Sequence, residues 1–274
     1  MIICIGSNGQ LGSEIVKAAD KLGMACVGLT HDDIEVTGDV GDFQFIVPTG
    51  STTIINTAAY HDLSLCEKDP LLAWRVNAQG SGNLAWYCAT RKPSIKYVYI
   101  STDYCHAQPL SPDGFPLSVY AKTKLAGELA ALSICHDALV ARVGTLYGAT
   151  GCRAKGGSNF IKAILPKIKS GQSFTLPDYT NVYFTNARRA AYRILTNLSS
   201  IGVWYATDER MSHYQMGCKV CDMLGLPNHI VAVSHDPDDT LRPNESTEAV
   251  RLLQWYREGD PLKEYLLDEG EICE

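Results

Sequence analysis

Residues 4–12 read CIGSNGQLG. Ile2 to Ile5 form a short apolar, β-branched run, and from Gln10 to Leu22 apolar side chains recur at helical spacing, so Gly6, Gly9 and Gly12 fall between a strand and a helix. Glycine there lets the chain reverse tightly and lets backbone N–H groups approach a pyrophosphate, which then sits at the positive end of the helix. The position predicts a dinucleotide-binding turn, spaced G-x-x-G-x-x-G rather than G-x-G-x-x-G.

The rhythm continues outward. Short Ile- and Val-rich runs at Met24 to Leu29, Thr53 to Asn56, Lys96 to Ser101 and Leu139 to Val143 alternate with helical patterns around Phe43, at Pro70 to Thr90 and at Ser118 to His136. That alternation predicts an α/β fold, a Rossmann-type doubly wound parallel sheet with right-handed crossovers. After Tyr147 the pattern loosens into the glycine-rich, basic stretch GATGCRAKGGSN at 148–159. A small C-terminal α/β substrate-binding lobe is expected to begin there. The division is 1–148 and 149–274, with a return of the chain to the first domain near 186–207. Expected in this half are helices at Asn159 to Lys169, Asn186 to Leu198 and Ser212 to Leu224, and strands at Gly202 to Ala206 and His229 to Val233.

An acid at the end of the second strand takes ribose hydroxyls, whereas a basic group takes a 2'-phosphate. Here the residues are Leu29, Thr30 and His31, which leaves NADPH and NADH both open; Asp32 and Asp33 come late and cap the loop.

The fourth strand runs out as KYVYISTDY, which places Ser101, Thr102 and Asp103 at the carboxyl edge of the sheet, where ligands bind. Tyr120 follows eighteen residues after Thr102, and Lys124 lies one helical turn further on the same face. A phenol is a weak acid at neutral pH, so Lys124, together with a cationic oxidised nicotinamide, is expected to lower its pKa. Hydride reaching a carbonyl carbon leaves an alkoxide that needs a proton. Tyr120 can deliver it while the Thr102 hydroxyl holds the oxygen. The set fits ketone reduction or its reverse.

Composition sets outer limits. A formal charge of −6 offers no electrostatic footprint for nucleic acid, and no apolar run is long enough to span a bilayer. The opening MIICIG lacks a basic leader region, so a cytoplasmic chain is expected. The ten cysteines are scattered and read as reduced, mostly buried thiols. Cys218 and Cys221 are close but have no partner pair, so they are assigned to packing and no metal is expected.

The strings GSNGQLG, IINTAAYHD, VNAQGSGNLA, YVYISTDY, VYAKTKLAGE and RVGTLYG resemble, in order and spacing, the dTDP-4-dehydrorhamnose reductases of the extended short-chain dehydrogenase superfamily. The likeness continues more loosely through SNF, GVWYAT, MLGL and RPNES. It implies NADPH- or NADH-dependent reduction of a 4-keto nucleotide sugar, with Thr102, Tyr120 and Lys124 as the catalytic trio. It places cofactor contacts on Gly6, Asn8, Gly9, Gln10, Leu11, Asp39, Val40, Ala58, Ala59, Tyr60, Asn77 and Ser101, besides Tyr120 and Lys124. Substrate contacts would fall on Thr102, Asp103, Tyr104, Asn159 and Arg242, and a homodimer is a candidate assembly.

Departures from the family pattern lie on the substrate side. Cys105 and His106 follow STDY, Thr145 replaces a frequent tryptophan, and DYTNVYFTN at 178–186 lacks the usual Pro-Thr, which would let Tyr183 and Phe184 reshape the sugar pocket. Arg188, Arg189 and Arg193 could meet a diphosphate but are read as a solvated helix face. Asp103 is followed by tyrosine and not by the glutamate of a dehydratase. Two alternatives stay open: a nucleotide-sugar epimerase of the same superfamily, and a dinucleotide-binding regulatory subunit like that of methionine adenosyltransferase.

Overall fold

The computed structural model describes residues 1–91, 94–108, 110, 113–152, 156–236, 245–246 and 259–272. Six parallel strands form the central sheet, in the order Gly202–Tyr205, Leu139–Val143, Lys96–Thr102, Thr53–Asn56, Ile2–Ile5, Cys26–Leu29. The first strand pairs with the second on one side and with the third on the other, Ile5 facing Leu29 and Asn56. The chain therefore changes winding direction between Ile2–Ile5 and Thr53–Asn56, and the crevice outside their carboxyl ends is where such sheets bind ligands. Beyond the second strand, the stretch to Thr53 contributes only a short 3₁₀ turn, Val40–Asp42, and a one-turn helix, Phe43–Ile46.

Successive strand residues point to opposite faces, so each apolar strand feeds two cores. Ile3, Ile5, Ile54, Tyr97, Tyr99 and Val140 pack on one side against Leu84, Cys88 and Ala131. Ile2, Cys4, Ile55, Val98, Ile100 and Ala141 pack on the other against Leu11, Ile15, Ala190 and Ile194. The last two belong to the helix Ala187–Thr196, which leads into the edge strand Gly202–Tyr205 and so returns the chain to the first sheet.

A third core gathers Tyr147, Ile161, Ile164, Leu176, Phe184, Met216, Leu262 and Tyr265. It contains elements that no clear periodicity announces: the strands Thr145–Tyr147, Phe174–Pro177 and Val182–Asn186, and the helix Pro261–Asp268. The expected helix from Pro70 to Thr90 is not continuous. It begins as Pro70–Trp74, widens into a π-helical turn at Arg75–Gln79, and resumes as Gly80–Thr90. Seven of the nine described cysteines are buried, and none is in a disulfide.

Candidate active site

Ser118 caps the helix Val119–Ile134 by accepting from the Ala121 N–H at 3.2 Å, which fixes Tyr120 in the first turn. Gly127, on the same helix, allows close docking: a Cβ there would meet the Asn77 carbonyl at 2.3 Å and the Tyr99 hydroxyl at 2.4 Å. The helix thus presses Tyr120 toward the end of the strand Lys96–Thr102, where the Thr102 hydroxyl neighbours the Tyr120 phenol. The Tyr104 and Tyr120 rings meet edge to face with centroids 6.2 Å apart. Thr102 also closes the 3₁₀ turn Asp103–His106, accepting from the Tyr104 N–H at 3.3 Å.

Enclosure pushes the Tyr120 phenol well above the ordinary tyrosine range, and the neighbouring Thr102 hydroxyl only partly opposes this. Lys124 is 2% exposed. Its Nζ donates to the Ile100 carbonyl at 2.6 Å and lies 4.1 Å from the centroid of the Tyr99 ring. Burial pulls its pKa down to about 8. The expectation that Lys124 lowers the Tyr120 pKa is therefore not met. Its ammonium is held by a carbonyl and a ring, and desolvation dominates the phenol, leaving Tyr120 protonated at neutral pH.

At the crevice, the glycine turn has the shape its sequence predicts. Gly6 has φ of +79°, and a Cβ on Gly12 would lie 2.3 Å from the Gly6 carbonyl oxygen. Gly9 caps the helix Gln10–Lys21 with no side chain, so the first-turn N–H groups are left to water or a ligand. Gln10 Nε2 is buried beside them without a hydrogen-bond partner. An orphaned donor and a bare helix N-terminus at the sheet's switch point fit a dinucleotide pyrophosphate. Asn8 is exposed at the tip of the turn, while Leu11 is buried in the core below it.

Across the crevice, the Ala58–Tyr60 loop is tied down. The Ala58 N–H donates to Asn56 Oδ1 at 3.0 Å and the Tyr60 N–H to Asn77 Oδ1 at 2.9 Å. Asn77 Nδ2 donates to the Tyr60 carbonyl at 2.8 Å and to Thr123 Oγ1 at 3.0 Å. Asn77 lies in the π-helical turn with its donors already engaged, so it braces this loop against the Tyr120 helix. Asp39 caps the turn Val40–Asp42 through the Gly41 N–H at 2.8 Å, and Val40 packs on the first core. At the end of the second strand, the Asp33 carboxylate accepts from the Thr30 N–H and hydroxyl, both at 2.8 Å, which keeps its pKa low.

On the substrate side, Asp103 is buried and accepts from Thr102 Oγ1 at 3.3 Å and from the Tyr183 N–H at 3.2 Å. Ser101 turns to Cys105, 3.5 Å from its sulfur. Asn159 caps the helix Phe160–Lys169, accepting from the Lys162 N–H at 3.0 Å and donating to the Gly148 carbonyl at 2.9 Å. Phe184 does not face a sugar pocket; it is buried in the third core against Phe160 and His213, because strand alternation turns it away from Tyr183. Arg242 lies outside the described residues.

Arg189 and Arg193 are not a solvated face. Arg189 grips Glu264 at 2.7 and 2.9 Å, and Arg193 donates to Asp208 at 2.6 Å, while Arg188 pairs with Asp268. Only the third dimension supplies these acids, which come from 15 to 80 residues further along the chain. The sequence also hides a pair beneath the site: Arg142 Nε and Nη2 donate to the two Glu128 oxygens at 2.8 and 2.6 Å, and Nη1 donates to the Tyr205 hydroxyl at 3.2 Å. Glu128 sits two turns beyond Tyr120, where a helix interior buries one face, and a buried acid at that spacing is the only signal of it.

The family model described as RmlD substrate binding domain matches residues 1–259. A probable low-salt glycan biosynthesis reductase, Agl14, of Haloferax volcanii is 28% identical over 243 residues, 80% of this chain and 79% of that protein. A dTDP-4-dehydrorhamnose reductase of Mycobacterium tuberculosis is 34% identical over 161 residues, which span 55% of this chain and 52% of that one. The crystal structure of the Bacillus anthracis dTDP-4-dehydrorhamnose reductase in complex with NADP has the same fold, with a TM-score of 0.81 at 22% identity over 97% of both chains. With the glycine turn, the crevice and the strand-end threonine beside a helical tyrosine in place, the chain belongs to the RmlD substrate binding domain family, that of the dTDP-4-dehydrorhamnose reductases, which are NAD(P)-dependent oxidoreductases.

Proposed function

We propose that the chain reduces the 4-keto group of a nucleotide sugar with NADPH or NADH, with Tyr120 as the proton donor. The observation that carries this reading is the placement of Tyr120, in the first turn of its helix and ring to ring with Tyr104, beside the strand-end Thr102 that accepts from the Tyr104 N–H. A phenol whose pKa is raised by enclosure holds its proton until an alkoxide, a far stronger base, forms next to it. Thr102, which donates to Asp103 and accepts from the Tyr104 N–H, would turn its hydroxyl proton from Asp103 to the carbonyl oxygen to hold it beside Tyr120. Lys124, one turn away and held by the Ile100 carbonyl and the Tyr99 ring, would fix the helix face that presents Tyr120. Gly6, Gly9 and Gln10 would hold the pyrophosphate, and the bound nicotinamide supplies the hydride. The loop Ala58–Tyr60, braced by Asn77, would form the opposite wall.

The third core would carry the sugar side, with residues 1–148 and the return near 186–207 forming the dinucleotide domain. The experiment is to follow NADPH and NADH absorbance against a panel of 4-keto dTDP- and UDP-sugars. Stoichiometric oxidation with one of them is expected. Turnover of a nucleotide sugar to its epimer with no net cofactor oxidation contradicts the reading.

A further inference from the structure

We propose that Cys152 and His61 form a thiol–imidazole pair that makes Cys152 a site of covalent modification by small electrophiles, hydroperoxides in particular. The inference does not depend on the reaction proposed above. His61 directly follows the Ala58–Tyr60 loop, and Cys152 lies in the glycine-rich stretch that leads to the helix Phe160–Lys169. Ninety-one residues apart in sequence, they meet with His61 Nε2 at 3.0 Å from Cys152 Sγ.

The imidazole is oriented for the task. His61 Nδ1 lies 3.3 Å from the Ala59 carbonyl. A carbonyl only accepts, so Nδ1 holds the hydrogen in that contact and Nε2 presents its lone pair to the thiol. Nucleophile, base and orienting group are thus in line, the arrangement that activates a cysteine. The thiol is held in place by its backbone: the Cys152 N–H donates to the Ser158 carbonyl at 2.8 Å, and the Gly157 N–H donates to the Cys152 carbonyl at 2.9 Å. Other buried thiols face groups that keep them protonated. Cys4 points at the Gly12 carbonyl, Cys105 at that of Ala121 and Cys135 at that of Ala85, and burial pushes the Cys135 thiol up to about 11. His61 is exposed while Cys152 is 9% exposed, so the imidazole lies between the thiol and solvent.

The step balances. Nε2 takes the thiol proton, and the thiolate attacks one oxygen of a hydroperoxide. The S–O bond forms as the O–O bond breaks, and the departing hydroxide or alkoxide takes the proton from the imidazolium and leaves as water or alcohol. Sulfur is oxidised by two electrons to a sulfenic acid and the peroxide is reduced.

The test uses the full chain with iodoacetamide as probe, at neutral pH, with peptides quantified by mass spectrometry. Cys152 is expected to react at least about 10-fold faster than Cys26 and Cys218, the described thiols that are more exposed. In His61→Gln the rate at Cys152 should fall about 10-fold, with Cys26 and Cys218 within about twofold as internal controls. One equivalent of hydrogen peroxide followed by dimedone should tag Cys152 first among these three. If His61→Gln does not fold, the wild-type comparison decides alone. Cys152 reacting no faster than Cys26 and Cys218, or an unchanged rate in a folded His61→Gln, overturns the proposal.

Discussion

Glu128 and Arg142 meet fork to fork at 2.6 and 2.8 Å, both almost fully buried, and tie the helix that carries Tyr120 to the strand next to Thr102. Removing one partner strands the other charge away from water. Arg142→Met is expected to destabilise the chain by about 3–5 kcal/mol, and Glu128→Leu by a similar amount. The double variant Glu128→Leu/Arg142→Met should recover much of that loss. Urea unfolding of the three variants measures the coupling; strictly additive losses contradict it.

The glycine turn leaves no room at Gly12, where an added Cβ would press on the backbone of Gly6. Gly12→Ala is expected to weaken NADPH binding at least about tenfold, because the crossing of helix and turn that aims the N–H groups must open. A fluorescence titration checks this. Unchanged affinity would place the pyrophosphate elsewhere.

The fully buried Asn77 amide braces the loop Ala58–Tyr60 with two hydrogen bonds to Tyr60 and ties it to the Tyr120 helix with a third to Thr123. Asn77→Leu leaves the Tyr60 N–H and carbonyl without these partners, and should cost about 1–3 kcal/mol of stability. Cofactor affinity should fall with it as the loop loosens, which thermal unfolding with and without NADPH would register.

Lys124 provides a pH signature. In the folded chain it releases its proton near pH 8, against 10.5 when unperturbed, because burial disfavours the charge. Between these values the unfolded chain binds the extra proton, so the stability that Lys124 contributes rises with pH across that window and is lowest below pH 8. Relative to Lys124→Met, wild type should therefore gain stability from pH 7 to pH 9.5. A pH-independent gap in urea unfolding contradicts this.

Local features of the site were legible in the sequence and long-range ones were not. Gly6, Gly9 and Gly12 reveal themselves because a turn between strand and helix is set by neighbouring residues, and Tyr120 and Lys124 because helical spacing puts them on one face. The π-helical turn at Arg75–Gln79 has no propensity signal, since it exists to seat Asn77 against the loop and the Tyr120 helix. The strands of the third core are three to five residues long, too short to display a period. The direction of the Tyr120 shift depended on where the Lys124 ammonium points, which only tertiary packing decides.

The most direct test of the account is the turnover of Tyr120→Phe with NADPH and the 4-keto nucleotide sugar that the wild type accepts. Loss of the proton donor should lower kcat by about 10²–10⁴-fold, while NADPH affinity stays within about twofold. Turnover equal to wild type would contradict the assignment of Tyr120 as the acid.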